Sequence, residues 1–231
     1  MIKNEVSIVI PTLNEAGGIG PLVKKCHAMA GEVIVVDGAS SDGTAEEAAK
    51  NGARVIVEPR RGYGLAYLIG FQAAKGKILA TTDGDGTYPV EFIPEMAELL
   101  LKENLAFISC CRFPLASPKS MALTNQIGNR VLSFVGSVLW LNSFHDILSG
   151  MWVFKKEALD EMELYSKNWN LSQEIKIEAH CRFGNRFREC HIPYYERVGV
   201  PKLSPWKVGI ENLIYFAIQR LGLRKKISGK E

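Results

Sequence analysis

The chain has 231 residues, 28 basic and 25 acidic, for a net charge of +3. That length accommodates one large α/β domain, and 47% apolar against 23% charged residues is globular composition that excludes a disordered chain. So small a net charge excludes nucleic acid as a partner, five cysteines without a CxxC pair argue against a disulfide framework or zinc site, and no segment offers the ~18 apolar residues of a bilayer span.

Val6–Ile10 reads as a buried strand closed by Pro11, beginning so early that a signal peptide is not expected. A reducing, cytoplasmic setting follows as the expectation. A helix is predicted over 16–30, then a second buried strand, Glu32–Val36, ending at Asp37. Ser41 or Asp42 caps a helix running to about Asn51. Arg54–Val57 is a third strand, Gly62–Lys75 a third helix, and Ile78–Thr82 a fourth strand that runs into Asp83-Gly84-Asp85. Pro89 stands near the start of a helix reaching Lys102, and Ala106–Cys110 is a fifth strand. The second half departs from this alternation. It has a long helical stretch over 120–142, a loop with Asp146 and Ser149, a helix at Leu171–Phe183, a strand over 188–195 and an amphipathic helix over 206–223.

Strands alternating with helices predict βαβ units and a mainly parallel sheet, in which ligands bind beyond the strands' carboxyl ends. Three loops fall there: Pro11–Glu15, Asp37–Thr44 and Asp83–Thr87. Two carboxylates one residue apart at the exit of a buried strand are suited to hold Mg²⁺ or Mn²⁺ against a diphosphate, although Asp and Gly also populate surface turns. Asp37 is placed to meet a base or ribose, while Ser40–Thr44 also reads as a helix cap. The glycines of Arg60-Arg61-Gly62-Tyr63-Gly64 lack P-loop spacing, and GxGxxG is absent after the first strand. They read as structural, or as a loop that approaches another backbone closely. Arg112, Arg197 and Lys202 follow buried strands and are suited to phosphate. His145 beside Asp146 reads as a structural loop histidine.

These motifs in this order resemble inverting family 2 glycosyltransferases, especially the polyprenyl-phosphate (dolichyl-phosphate) mannosyl- and glucosyltransferase branch. They are IVIPTLNE (Ile8–Glu15), VVDGASSDGT (Val35–Thr44), RGYGLAYLIGFQAAKG (Arg61–Gly76), DGDGTYP (Asp83–Pro89), ISCCRF (Ile108–Phe113), DILSG (Asp146–Gly150) and IPYYERVGVPKL (Ile192–Leu203). The resemblance implies a glycosyltransferase A fold: a Rossmann-like, mainly parallel mixed sheet flanked by helices. It implies donor contacts at Pro11, Leu13, Glu15, Val36, Asp37, Asp83, Gly84 and Asp85, with Asp83 and Asp85 as the metal-binding pair and Asp85 the direct ligand. Arg112 matches an arginine near the donor phosphates; Arg197, Lys202 and Ser149 fall on the acceptor side. Gly38, Thr87, Cys110-Cys111, Trp152 and Pro201 depart from residues common in that branch, which leaves the choice of GDP- or UDP-sugar open.

The expectation is metal-dependent, inverting transfer of mannose or glucose to a polyprenyl phosphate by residues 1–203, with residues 204–231 as a membrane-interfacial segment. A phosphate monoester is already anionic near neutral pH and needs no general base. A sugar hydroxyl would need one, and Glu174 is the acid offered for it, unless it is a helix-surface acid. A non-catalytic nucleotide-binding subunit is the remote alternative. Between Pro201 and Glu231 seven basic residues stand against two acidic ones, a net +5. With Trp206 and Tyr215 on one amphipathic helix and Arg224-Lys225-Lys226 following it, that tail fits an anionic membrane surface at the cytoplasmic face. Val131–Phe144 is apolar enough for a core helix or a second lipid-facing one.

Overall fold

A computed structural model describes residues 2–196 and 205–223. Among them seven strands form one sheet: β1 Val6–Thr12, β2 Glu32–Asp37, β3 Arg54–Val57, β4 Ile78–Thr81, β5 Phe107–Cys111, β6 Trp152–Lys155 and β7 Phe187–His191, in the order β3-β2-β1-β4-β6-β5-β7. The pairs β1/β2, β1/β4, β2/β3 and β5/β7 are parallel. β6 runs antiparallel to both neighbours. The helices are α1 Ala16–Met29, α2 Thr44–Lys50, α3 Tyr63–Ala73, α4 Ile93–Lys102, α5 Leu123–Trp140, α6 Ala158–Glu161, α7 Leu171–Phe183 and α8 Pro205–Arg220.

Two cores cover the sheet's faces. Ile8, Ile10, Val33 and Val35 point into one, with Val23 of α1 and Met96 of α4. Val9, Ile34 and Val36 point into the other, with Tyr67 and Phe71 of α3 and Ile175 of α7. The alternation of neighbouring residues between cores is the period-two pattern of strands buried on both faces.

Pro11 does not close β1. β4 pairs β1 only along Val6–Val9, so the ring lies where no neighbour on that side needs its missing N–H, and pairing with β2 continues to Thr12. β7 ends at His191 rather than at Tyr195. β6 escapes the sequence pattern: it is four residues long, and its Trp152, Val153 and Phe154 are all buried. A run that short and uniformly apolar carries no period.

α8 is packed on the domain rather than detached from it. Phe216 is buried against α5, where Gly136 leaves room for its ring, and Asn212 and Gln219 are buried too. Tyr215, expected as an interfacial anchor, turns inward and donates to Glu174 Oε1 at 2.8 Å. Trp206's side chain and Arg224-Lys225-Lys226 lie outside what the structure describes.

Candidate active site

β1, β2 and β4 deliver their following loops to one place. Thr12 and Asp37 pair in register. Asp37, buried, accepts from Thr12 Oγ1 at 3.0 Å, Ser40 Oγ at 2.6 Å and Ser40 N at 2.8 Å. Asn14, in the left-handed region at φ 53°, donates its N–H to Ser40 Oγ and accepts from Ser41 N. Glu15 N donates to Thr44 Oγ1, and Asp42 accepts from Ala16 N and Thr44 N at the starts of α1 and α2, although the N-cap residue of α2 is Gly43 rather than Ser41 or Asp42. The serines, Asn14 and Asp42 therefore lock the first two loops together. The third packs onto them: a Cβ on Gly84 would lie 3.0 Å from Thr12 Cγ2 and 3.3 Å from the Pro11 carbonyl oxygen.

The two acids of the third loop are held differently. Asp85 is only 4% exposed, so it is no surface-turn residue. Its Oδ1 accepts from Thr87 N at 3.1 Å and Thr87 Oγ1 at 2.7 Å. Asp83 Oδ1 accepts from Tyr63 Oη at 2.9 Å and Tyr67 Oη at 3.3 Å, one turn apart on α3. Burial, and then the Asp83 charge, push both phenols well above their usual range, so they remain protonated donors. Gly150 is required beside them, since a Cβ there would lie 2.5 Å from Tyr63 Oη and 3.2 Å from Asp83 Oδ1. Tyr88 Oη accepts from Gly150 N at 2.7 Å.

Beyond β5, Arg112 is buried in a fork with Asp146: Nε to Oδ2 at 2.7 Å and Nη2 to Oδ1 at 2.8 Å. Its guanidinium lies 5.1 Å from the centre of the Tyr194 ring. Asp146 also accepts from Arg112 N and from Asn129 Nδ2 of α5. Burial alone would raise the Asp146 carboxyl, but the Arg112 charge and hydrogen bonds hold it well below the carboxylate range. Lys176 of α7, fully buried, donates to the Asp146 carbonyl at 2.7 Å, and burial draws its ammonium down to about 8. His145 pairs with Glu189 rather than with its neighbour Asp146.

Pro11, Leu13, Glu15, Asp37, Asp83, Gly84 and Asp85 thus meet at one end of the sheet. Val36 points its side chain into the core. Arg112 commits two of its three nitrogens to Asp146. Ser149 is fully buried and donates to the Cys110 carbonyl, while its own carbonyl accepts from Trp152 Nε1 at 2.9 Å. Arg197 and Lys202 lie outside the described residues. Glu174 is not a surface acid: it is fully buried, accepting from Tyr165 N, Ser166 N and Tyr215 Oη. Tyr63, Tyr67, Asn129 and Lys176 are residues sequence reasoning missed. For Tyr63 the signal was its place between two glycines, whose reason is now visible. A Cβ on Gly62 or Gly64 would come within 2.5 Å of the Lys167 or Ser166 carbonyl oxygen, so this is a close-approach loop.

No cluster of three or more His, Cys, Asp or Glu side chains able to hold a metal occurs among the described residues. Asp83 and Asp85 are a two-carboxylate set, which fits Mg²⁺ or Mn²⁺ completing its shell with ligand phosphates and water and would not cage the ion alone.

A mainly parallel sheet with one reversed strand, carrying an Asp-Gly-Asp at the mouth of β4, defines a glycosyltransferase of the A fold. The family model for glycosyl transferase family 2 matches residues 7–163, and the chain belongs to that family. It is 34% identical over 209 residues to the dolichyl-phosphate hexose transferase of Haloferax volcanii, covering 89% of this chain and 90% of that one. It is 31% identical over 229 residues to the low-salt glycan biosynthesis hexosyltransferase Agl6 of the same organism, covering 96% of this chain but 55% of the relative. Among solved structures it resembles the glucosyl-3-phosphoglycerate synthase of Mycobacterium tuberculosis (TM-score 0.75, 20% identity, 95% of this chain and 80% of that one). The mannosyl-3-phosphoglycerate synthase of Rubrobacter xylanophilus is similarly close (TM-score 0.74, 19% identity, 99% and 76%).

Proposed function

We propose that this glycosyltransferase moves a hexose, mannose or glucose, from a GDP- or UDP-sugar to a polyprenyl phosphate at the cytoplasmic face of a membrane, with inversion. The carrying observation is the position of Glu174. The acid that would serve a hydroxyl acceptor as base is buried and bonded to the backbone at residues 165 and 166. An acceptor that arrives already anionic needs no such base. The Haloferax relative, named for dolichyl phosphate, supports the same class of acceptor.

Asp83 and Asp85 would hold Mg²⁺ or Mn²⁺, the ions bound with uridine diphosphate in the mycobacterial synthase. When bound, the ion supplies charge to a departing nucleoside diphosphate. The chain's own residues keep the two acids in place through Thr87, Tyr63 and Tyr67, and shape the nucleotide-facing loops through Asp37, Asn14 and Asp42. Arg112, held by Asp146, contributes positive charge beside Tyr194, and Arg197 and Lys202 would meet the acceptor phosphate.

The membrane reading draws on α5 and α8. α5 exposes Leu123, Ile127, Val131, Phe134 (69% exposed) and Val138, with Leu141 (92%) just beyond it, and α8 exposes Ile210, Leu213 and Ile214, with Leu221 just beyond it. Arg130 is the one charged residue within α5, and Lys119 precedes it. Two adjacent helices with apolar outer faces and basic flanks fit an anionic lipid surface. No helix among the described residues is long and apolar enough to cross a membrane.

The test supplies the full chain with Mn²⁺ and GDP- or UDP-hexoses, and offers dolichyl phosphate, 3-phosphoglycerate or a glycolipid hydroxyl as acceptor. Label extracted into solvent as an alkali-stable, acid-labile phosphodiester supports the reading. Transfer only to 3-phosphoglycerate or to a hydroxyl overturns it.

A further inference from the structure

Beyond the acids themselves, an aromatic wall stands beside Asp83. The backbone of residues 62–65 abuts that of 166–168, with Leu65 N donating to the Lys167 carbonyl at 2.9 Å. Between the two glycines Tyr63 reaches Asp83 with its hydroxyl, and its ring stacks on Trp169 at 4.2 Å between centres and 20° between planes. Trp169 is nonetheless 36% exposed, whereas Trp152 is fully buried. Its segment is fixed on both sides: Glu174 accepts from Tyr165 N and Ser166 N, and Asn170 Nδ2 donates to Asn212 of α8 at 3.1 Å. A large indole is therefore held in place, one ring face covered by Tyr63 and part of it open to solvent, with Tyr63 linking it to a carboxylate of the Asp-Gly-Asp loop.

We propose that Trp169 is the hexose platform of the site, packing its open indole surface on the sugar ring of the donor, and that Tyr63 is the positioning residue that sets both the indole and Asp83. This rests on the nucleotide-sugar reading above. The hydrogens on the face of a pyranose are weakly positive and meet the negative face of an aromatic ring, while the carboxylate alongside accepts from the sugar hydroxyls. The platform touches only the hexose, so it distinguishes a nucleotide-sugar from the bare nucleotide. It would also favour the hexose whose hydroxyls project away from the apolar ring face.

The experiment is calorimetric titration of the full chain with Mn²⁺, using the nucleoside diphosphate and its hexose conjugate as separate probes. Trp169→Ala is expected to weaken the conjugate by about five- to tenfold, the worth of one aromatic contact, and to leave the nucleoside diphosphate unchanged. Trp169→Phe is expected to restore most of the loss. Tyr63→Phe, which keeps the stack and deletes the hydroxyl, is expected to raise the Mn²⁺ concentration needed for half-maximal nucleotide binding while keeping the ratio between the two probes. Equal weakening of both probes by Trp169→Ala, or no weakening of either, overturns the platform. Failure of the unaltered chain to bind either nucleotide would instead refute the donor reading on which the platform stands.

Discussion

Asp146→Asn removes the counter-charge from the most enclosed ion pair among the described residues. Asp146 is fully buried and the Arg112 side chain is 10% exposed, so solvent screening offers little relief. The carboxylate accepts from Arg112 N, Nε and Nη2 and from Asn129 Nδ2. An asparagine keeps one oxygen and turns an NH₂ toward donors that need acceptors. It also leaves Arg112 and the nearby Lys176 as buried cations. Breaking one side of such a pair costs about 3–5 kcal/mol, which for a chain of this size lowers the unfolding midpoint by about 6–20 °C. Circular dichroism melts and urea titrations at neutral pH measure it. The carboxyl is depressed in the folded state, so its contribution is complete above its unfolded pKa of about 3.9 and is lost as pH falls below it. The variant should therefore lose part of the parent's acid sensitivity. Replacing both partners by methionine should cost less than Asp146→Asn alone, because the Arg112 charge is then not stranded. A loss under about 1 kcal/mol, the worth of an exposed pair, would refute the buried pairing.

Lys176 gives a pH signature of the same sign in an alkaline window. Its folded-state pKa near 8 lies below the unfolded value of 10.5. The unfolded chain then binds more protons between those values, and this group makes stability rise with pH across that window. Lys176→Met should remove that rise in urea titrations, and an unchanged slope would place the ammonium in solvent. Glu174→Gln should cost about 1–3 kcal/mol through its unsatisfied backbone partners and leave the pH profile of turnover in place. A rate loss of about 10²–10⁴-fold with unchanged stability is the mark of a general base and would return the hydroxyl acceptor. Gly64→Ala forces a Cβ to 2.5 Å from the Ser166 carbonyl oxygen. It should cost about 1–3 kcal/mol of stability, with thermal melts as the check; a neutral result would mean the two segments do not abut.

The first half of the chain was legible because its strands are buried on both faces and its loops carry turn and capping residues. Runs such as Val33–Val36 and Ile8–Ile10 announce themselves. So does an acidic pair directly after a buried strand, since two carboxylates there need a reason. The extra residues of β1 were hidden by Pro11, whose effect depends on where β4 ends, a fact of pairing rather than of composition. β6 was hidden by its shortness. Glu174 was left between a base and a helix-surface acid, and its burial was not foreseen because α7 is buried nearly all round, Gln173, Glu174, Lys176 and Glu178 included. A helix whose polar residues are bonded inside the domain shows no apolar stripe to read. Asn129 and Lys176 had no local signal, because their partners, the side chain and carbonyl of Asp146, lie 17 and 30 residues away.

The two helices with apolar outer faces bear on the site through their inner faces. On α5, Asn129 holds Asp146, and Ser133 Oγ accepts from Ile147 N at 3.0 Å, so the loop that pins Arg112 is fastened to this helix. On α8, Asn212 bonds Asn170 beside Trp169, and Tyr215 bonds Glu174, which holds the backbone before Trp169. Phe134 and Val138 face outward on the same helix as Asn129 and Ser133, and Ile214 does so beside Tyr215. A helix that only closed the core would have no reason to be apolar on its solvent side as well. The proposed acceptor, with an anionic head and a long apolar tail, would call for both properties in one element: polar groups fixing cations near the head, and an outer surface able to rest in lipid beside the tail. On the proposed polyprenyl-phosphate reading, the inner bonds of α5 and α8 and their outer stripes would answer two demands of one substrate.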